Sequence, residues 1–264
     1  QDRWVLANQP VGFRGSGKKE VIIFGSPLEA LGATAIDNSA ANSAMLEIAR
    51  NINPKHFDLM FVFTDGHEIA EAAGSTYLVD SMWSYLKEKG VLYINVESLG
   101  VSGATRAVSY VSPMIRRFAT EIEKKYGISA EHHSEIRIAD SSFTGIGVPY
   151  YWFTHFMSRR YVRLNNGASH GWWYRSEADT IEHVDFSLLK YETQYLLNFY
   201  SEIETRGYID YRISEYLRDG LKVVRNFNGL EDELVKDKMR TLIKKMRETL
   251  YLTLETEKET MMRN

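Results

Sequence analysis

The chain predicts an α/β fold, a sheet of mainly parallel strands sandwiched by helices, with a helical extension at its carboxyl end. Two patterns carry that prediction. Strand-length apolar runs alternate with segments of helical periodicity through the first two thirds of the sequence. From Phe186 onward the pattern turns helical, with interruptions, and Met239, Leu242, Ile243, Met246 and Leu250 recur at three- and four-residue spacing as one apolar stripe.

Taken in order, Val21 to Phe24 is the first strand-like run. A helix follows from about Ser39 to Ile52, opened by Asp37-Asn38-Ser39 and closed by Asn53-Pro54. Leu59 to Phe63 reads as a strand, Ser75 to Lys89 as a helix, and Val91 to Val96 as a further strand. Residues 109 to 126 read as a helix containing Ile115, Phe118 and Ile122 and stopped by Gly127. Ile136 to Ile138 and Val148 to Phe153 read as later strands, and the aromatic, Gly-rich stretch Asn165 to Tyr174 as a loop of the kind that carries sites. The terminal helical region is expected to break at Gly207, Gly220 and Asn228-Gly229. These patterns divide the chain into an α/β domain over 1–190 and a helical extension over 191–264.

A length of 264 residues is ample for a hydrophobic core, and a formal charge of -3 lacks the basic field that nucleic-acid binding requires. Nucleic acid is therefore not an expected partner. Cysteine is absent, which excludes disulfides, thiolate metal sites and a cysteine nucleophile, so any metal would sit on His, Asp or Glu. The apolar runs are far shorter than the roughly 20 residues that span a bilayer, and the chain reads as soluble with its compartment open. It begins with Gln1, which fits a processed or truncated amino terminus.

Gly12 to Lys18 matches much of a phosphate-loop pattern, but Lys19 stands where a Ser or Thr would hold magnesium. The motif also precedes a strand instead of following one, so it is expected to be a flexible basic lead-in. No Gly-x-Ser-x-Gly elbow with a partner set stands out. Loops at the carboxyl ends of the predicted strands, where α/β proteins place their chemistry, carry Pro27-Leu28-Glu29, Asp37, His67-Glu68 and Glu97, and a late segment carries Tyr174-Arg175 with Asp179. Singly, Asp37 and Asp179 are ordinary caps and Glu68 an ordinary charge near a helix start.

Together these positions resemble the zinc aminopeptidase and glutamate carboxypeptidase family, most closely the branch that contains prostate-specific membrane antigen and the transferrin receptor. The likeness covers about residues 20 to 190. It is carried by Val21 to Arg50, by Asp65-Gly66-His67-Glu68 with Gly74-Ser75-Thr76, and by Tyr93-Ile94-Asn95-Val96-Glu97. Asp140-Ser141-Ser142-Phe143, Gly147-Val148-Pro149 and Tyr174 with Asp179-Thr180 are similar to later landmarks. The resemblance implies a two-zinc site with a bridging carboxylate and a carboxylate general base. Carried over residue by residue, the first histidine ligand falls on Pro27, with Glu29 beside it, and the bridging aspartate is Asp37. The general base falls on His67, the adjacent metal glutamate is Glu68, the aspartate on the third strand is Glu97, and the last histidine is Arg175. Tyr174 takes a substrate-side position.

Both histidine ligands are thus replaced, and an arginine, which stays protonated, cannot bind a cation. The expected cofactor is none, or zinc if any. Arg175 is expected to neutralise Asp37, Glu68 or Glu97 in place of metal. His67 reads either as a base or as a substituted residue in a relaxed site, and His170 either as a replacement ligand or as an aromatic-packed loop residue. His132 and His133 read as exposed residues of a connection. Three functions follow: a non-catalytic scaffold that binds a peptide or protein, an atypical metallopeptidase using Asp37, Glu68, Glu97 and Glu29 or His170, and a supporting subunit. The first is preferred, as a homodimer through the tail helices.

Overall fold

The computed structural model describes residues 9–28, 34–70, 72–134, 142–225 and 233–263. The strands are β1 (Val11–Arg14), β2 (Val21–Pro27), β3 (Asp58–Thr64), β4 (Gly90–Asn95), β5 (Arg106–Val111), β6 (Glu131–His133) and β7 (Tyr150–Phe156). The helices are α1 (Ala40–Asn51), α2 (His67–Ala70), α3 (Ala73–Ser81), α4 (Trp83–Lys89), α5 (Arg116–Lys125), α6 (Ser142–Gly145), α7 (Arg159–Leu164), α8 (Phe186–Arg206), α9 (Ile213–Arg225) and α10 (Glu233–Arg263).

The seven strands form one sheet in the order β1-β3-β2-β4-β7-β5-β6. Pairings among β3, β2, β4 and β7 are parallel, as is β5 with β6, while β1 on β3 and β5 on β7 are antiparallel. The mainly parallel α/β sheet expected from the sequence is therefore present. Strand β2, fully buried along its length, sits between β3 and β4, so the chain leaves it on one side and returns on the other. Such a crossing point opens a crevice at the carboxyl ends of the strands, and the candidate site lies there.

Side chains alternate between the faces with the strand period of two. Val21, Ile23, Met60, Val62, Tyr93 and Trp152 pack with Leu78, Val79, Leu86 and Phe143. On the opposite face Phe24 stacks on Phe61 at 5.4 Å and meets Tyr200 of α8, and Tyr151 stacks on Phe199 at 4.2 Å. Burial of both faces explains why these strands read as continuous apolar runs. Gly25 in β2 has a packing reason, since a Cβ there would lie 2.0 Å from the Tyr93 hydroxyl.

Several sequence expectations are corrected. The helix read over 109–126 is strand β5 through Val111, then Pro113–Ile115 as a 3-10 turn and α5 from Arg116. Proline at the first helical position starts a helix and disfavours one before it, which is why Ser109 to Val111 stay extended. The helix read over Ser75 to Lys89 is two, broken at Met82, where φ is -115° and ψ is 20°. His132 and His133 lie in β6, where His132 Nε2 is 2.5 Å from the buried Glu123 carboxylate and Tyr110 stacks on His133. Helix α9 runs through Gly220, whose bare Cα admits Met246 to within 2.9 Å of the Cβ position. Gly207 does end α8, in the left-handed conformation of a helix cap. The strand read at Ile136 to Ile138 and the break at Asn228-Gly229 lie outside the described residues.

The phosphate-loop lookalike begins with an edge strand, β1, in register with β3 from Val11 opposite Val62. Its loop does hold an anion, the chain's own: the amides of Ser16 and Lys19 donate to the Asp58 carboxylate at 2.7 and 2.8 Å. Two compact units are present. One comprises residues up to Val111 with Glu121–Ile209, and the other Ser112–Thr120 with Asp210–Asn264. The boundary expected at residue 190 falls inside α8. In the second unit α9 packs on α10, and the amide and hydroxyl of Ser214 donate to Glu257 at 3.0 and 2.8 Å.

Candidate functional site

Asp37 lies in an irregular turn, Ala35–Ser39, between β2 and α1. A late loop secures that turn: the Asp179 carboxylate accepts the N–H groups of Ile36 and Asp37 at 2.9 and 3.1 Å, and the Asp179 carbonyl accepts that of Ala35. Burial raises the Asp179 pKa, although these amides oppose the rise. Asn38, joined to Asp37 by a cis peptide, ties the ends of two strands together. Its amide donates to Ser26 Oγ and to the carbonyls of Pro27 and Val96, and its oxygen accepts the Ser98 N–H.

His67 and Glu68 open the short α2 directly after β3, and Glu97 follows β4. His67 Nε2 lies 3.5 Å from Glu68 Oε1 and 3.7 Å from Glu97 Oε1, with all three side chains buried. Asn95 donates to Glu97 Oε2 at 2.7 Å, and the Trp152 indole donates to the Glu97 carbonyl at 3.0 Å. Arg175 reaches in from the late loop. Its Nε donates to Asp37 Oδ2 at 2.9 Å and its Nη2 to Glu68 Oε1. The sequence expectation that Arg175 would meet these carboxylates therefore has its contact, with Asp37 and Glu68 as the acceptors.

The electrostatics follow from burial and from this pairing. Burial and the nearby Asp37 raise the Glu68 pKa, against the pull of Arg175 and His67. Burial opposes the Arg175 charge, but Tyr174, Asp37 and Glu68 outweigh it and hold the guanidinium firmly protonated. Tyr174 is pushed well above the ordinary phenol range by burial and by Glu97 and Asp37. Its hydroxyl lies 2.8 Å from Ser98 Oγ, and its ring carries the Arg175 guanidinium at 5.2 Å.

The fold thus brings together Asp37, His67, Glu68, Glu97, Tyr174 and Arg175. Pro27 ends β2 and contributes only its carbonyl, to Asn38. Glu29 lies outside the described residues. His170 packs between aromatic rings, 4.5 Å from both Tyr174 and Phe156, and burial with the nearby Arg175 lowers its pKa to about 3. It is neutral at ordinary pH. Beside it a cleft of about 420 Å³ opens, walled by Tyr110, Trp152, Phe156 and Trp172 with His67 and Glu97 also lining it. Tyr110, which the sequence pattern places in a helix, lies in β5 and so contributes to an aromatic wall that the sequence alone does not reveal. Its cue was the alternation of β5 before Pro113.

Zinc, the metal implied by resemblance, does not fit this donor set. The Pro27 side chain has no ligand atom, Arg175 is a permanent cation, and it occupies Asp37 and Glu68, two of the carboxylates a metal pair would share. Among the described residues no three His, Asp or Glu groups are arranged to hold a metal ion.

Solved structures share the fold. The zinc aminopeptidase BSAP from Bacillus subtilis superimposes with a TM-score of 0.64 at 16% identity, covering 74% of this chain and 49% of that one. LapB from Legionella pneumophila gives 0.61 at 16% identity, covering 74% and 55%. A glutaminyl cyclase from an Acidobacteriales bacterium gives 0.60 at 14% identity, covering 75% and 74%. The chain spans about half the length of BSAP and of LapB. Comparison with curated protein sequences returned no match. The family model described as Peptidase family M28 matches residues 11–200, and the chain belongs to that family.

Proposed function

We propose that this chain is a non-catalytic member of its peptidase family, a scaffold whose cleft binds a peptide or protein partner. One observation carries the reading: the Arg175 guanidinium is bonded to both Asp37 and Glu68. Metal-assisted hydrolysis needs a Lewis acid and a base to activate water. Here a cation that can neither polarise a carbonyl as a metal does nor release a proton lies against the carboxylates, and His67 stands at the position of the general base. The degenerate site fits the transferrin-receptor side of the family, where the fold serves association.

Metal analysis of the purified chain, with a peptidase screen in added zinc, manganese and cobalt, tests this reading. The expected outcome is no stoichiometric metal and no turnover. Turnover abolished by Glu68→Ala would overturn it. The triple variant Pro27→His, His67→Glu, Arg175→His is expected to gain metal. Continued failure to bind would undo the positional correspondence on which the reading stands.

A second reading, an atypical metallopeptidase, is favoured by the approach of His67 Nε2 to both Glu68 and Glu97. It predicts metal uptake that depends on His67, which the same metal analysis on His67→Ala decides.

A further inference from the structure

Helix α7 springs directly from the cleft wall. Strand β7 ends at Phe156, Ser158 caps α7 by accepting the Tyr161 N–H at 3.2 Å, and the residues from Gly167 to Trp172 line the cleft. The helical period divides α7 into two faces. Tyr161 and Val162 turn inward and pack against the core group of Met157, Trp173 and Val184, while Arg159, Arg160, Arg163 and Leu164 are exposed. The Tyr161 hydroxyl accepts the Trp172 N–H at 3.2 Å, which sets Trp172 against this helix. Leu164 is 72% exposed and Trp172 61%.

From His155 to Arg175 the sequence holds four arginines and no Asp, Glu or Lys, within a chain whose net charge is -3. Two of the four are engaged. Arg175 bonds Asp37 and Glu68, and Arg159 donates to Glu131 Oε2 at 3.0 Å, where Arg106 joins it at 2.7 Å. Arg159 and Arg106 hold the Glu131 carboxyl below its usual range, against the effect of burial. Glu131 belongs to the edge strand β6, so α7 already takes a carboxylate from an extended segment. Arg160 and Arg163 have no hydrogen-bond or ion-pair partner among the described residues.

We infer that the outer face of α7, with Trp172, docks an acidic segment of a partner polypeptide, whose carboxylates pair with Arg160 and Arg163 and whose apolar side chains cover Leu164 and Trp172. Charge complementarity selects this occupant. A guanidinium fork matches a carboxylate, as Arg159 does with Glu131, and Trp and Arg are the side chains that most often carry the binding energy of protein interfaces. An anionic bilayer is the weaker match. Leu164 is the one exposed apolar residue of α7, too little apolar area to bury among headgroups, and a chain of negative net charge is not drawn to such a surface.

The inference rests on the binding-scaffold reading and names the class of its partner. The test titrates the full chain with a fluorescein-labelled hexapeptide of alternating leucine and glutamate, followed by anisotropy, with the glutamine-for-glutamate peptide as control. The acidic peptide is expected to bind at least about tenfold more tightly than its control, an advantage that shrinks as salt is raised. Arg160→Glu with Arg163→Glu is expected to weaken it at least about tenfold, and Trp172→Ala about three- to tenfold. Lys244→Glu with Lys245→Glu on α10, an equal change of net charge, is expected to leave it unchanged. Equal binding of the two peptides, unchanged affinity in a folded Arg160→Glu, Arg163→Glu or Trp172→Ala variant, or an equal loss in the α10 variant would overturn the inference. So would co-sedimentation with phosphatidylserine vesicles that depends on Arg160 and Arg163 and that the acidic peptide does not compete away. A peptidase screen on the same sample separates the two levels: turnover with added metal would remove the scaffold reading, while the peptide titration still decides the docking surface.

Discussion

Arg175 holds a left-handed backbone conformation, with φ of 60°, which a residue bearing a side chain adopts at a cost of about 1–3 kcal/mol. Its bonds to Asp37 and Glu68 offset that cost, because without the guanidinium two buried carboxylates would face each other. Arg175→Ala is expected to lower stability by about 2–3 kcal/mol, a value reduced for the partial exposure of the arginine. Arg175→Lys should recover only part of the loss, since an ammonium lacks the fork that spans both carboxylates. Urea unfolding midpoints check both, and an Arg175→Ala protein as stable as the parent would contradict the role assigned. His170 makes a prediction in pH. Its folded pKa of about 3 lies below the ordinary 6.5, so the unfolded chain takes up a proton that the folded chain refuses. Stability is therefore present above about pH 6.5 and is lost as the pH falls toward 3, by at most about 1.4 kcal/mol per pH unit. His170→Phe should flatten that part of the profile in stability measurements across the same range.

At the scale of elements, the loop between β1 and β2 is organised around Asp58. Burial pushes the Asp58 carboxyl up, but the amides of Lys19 and Ser16 pull it below its usual range. A depressed carboxyl contributes stability above its unfolded pKa and loses it as pH falls through the folded value. Asp58→Ala is expected to cost about 1.5–3 kcal/mol at neutral pH, measured by chemical denaturation. Asp185 caps α8 through the amides of Ser187 and Leu188, and Asp185→Ala should cost about 1 kcal/mol in the same assay. These elements also mark where the sequence was legible. Strands β2, β3 and β4 and helix α1 could be read because long apolar runs and a capped, periodic helix leave few alternatives. Asp37, His67, Glu68 and Glu97 could be placed together because strand ends in such a sheet converge, whereas Tyr174 and Arg175 joined them only through the family resemblance. What could not be read depended on partners distant in sequence. Tyr110 belongs to the cleft only because β5 pairs with β7, and the Gly-rich loop is filled only because Asp58 lies below it. Gly220 looked like a break because its role, admitting Met246, is tertiary.

At the scale of the molecule, no helix among the described residues is long and apolar enough to cross a membrane. The second unit exposes Ile213, Tyr216 and Val223 on α9 and Leu242, Tyr251 and Leu252 on α10. We propose that these helices associate with those of a second copy. Light scattering at micromolar concentration is expected to give a dimer mass, with Tyr216→Glu and Leu252→Glu shifting it toward the monomer; a monomeric parent would contradict the proposal. The strap that Asp179 makes to the amides beside Asp37 joins positions 142 residues apart, and the Arg175 bond to Asp37 spans 138. Closing loops of that length is entropically costly until the sheet between them exists. The turn that presents Asp37 is thus the part of the first unit whose shape awaits the latest-synthesised loop. During synthesis the carboxylates stand without their arginine until residue 175 has emerged, so a chain stopped short of it would carry the strands of this fold but not its site.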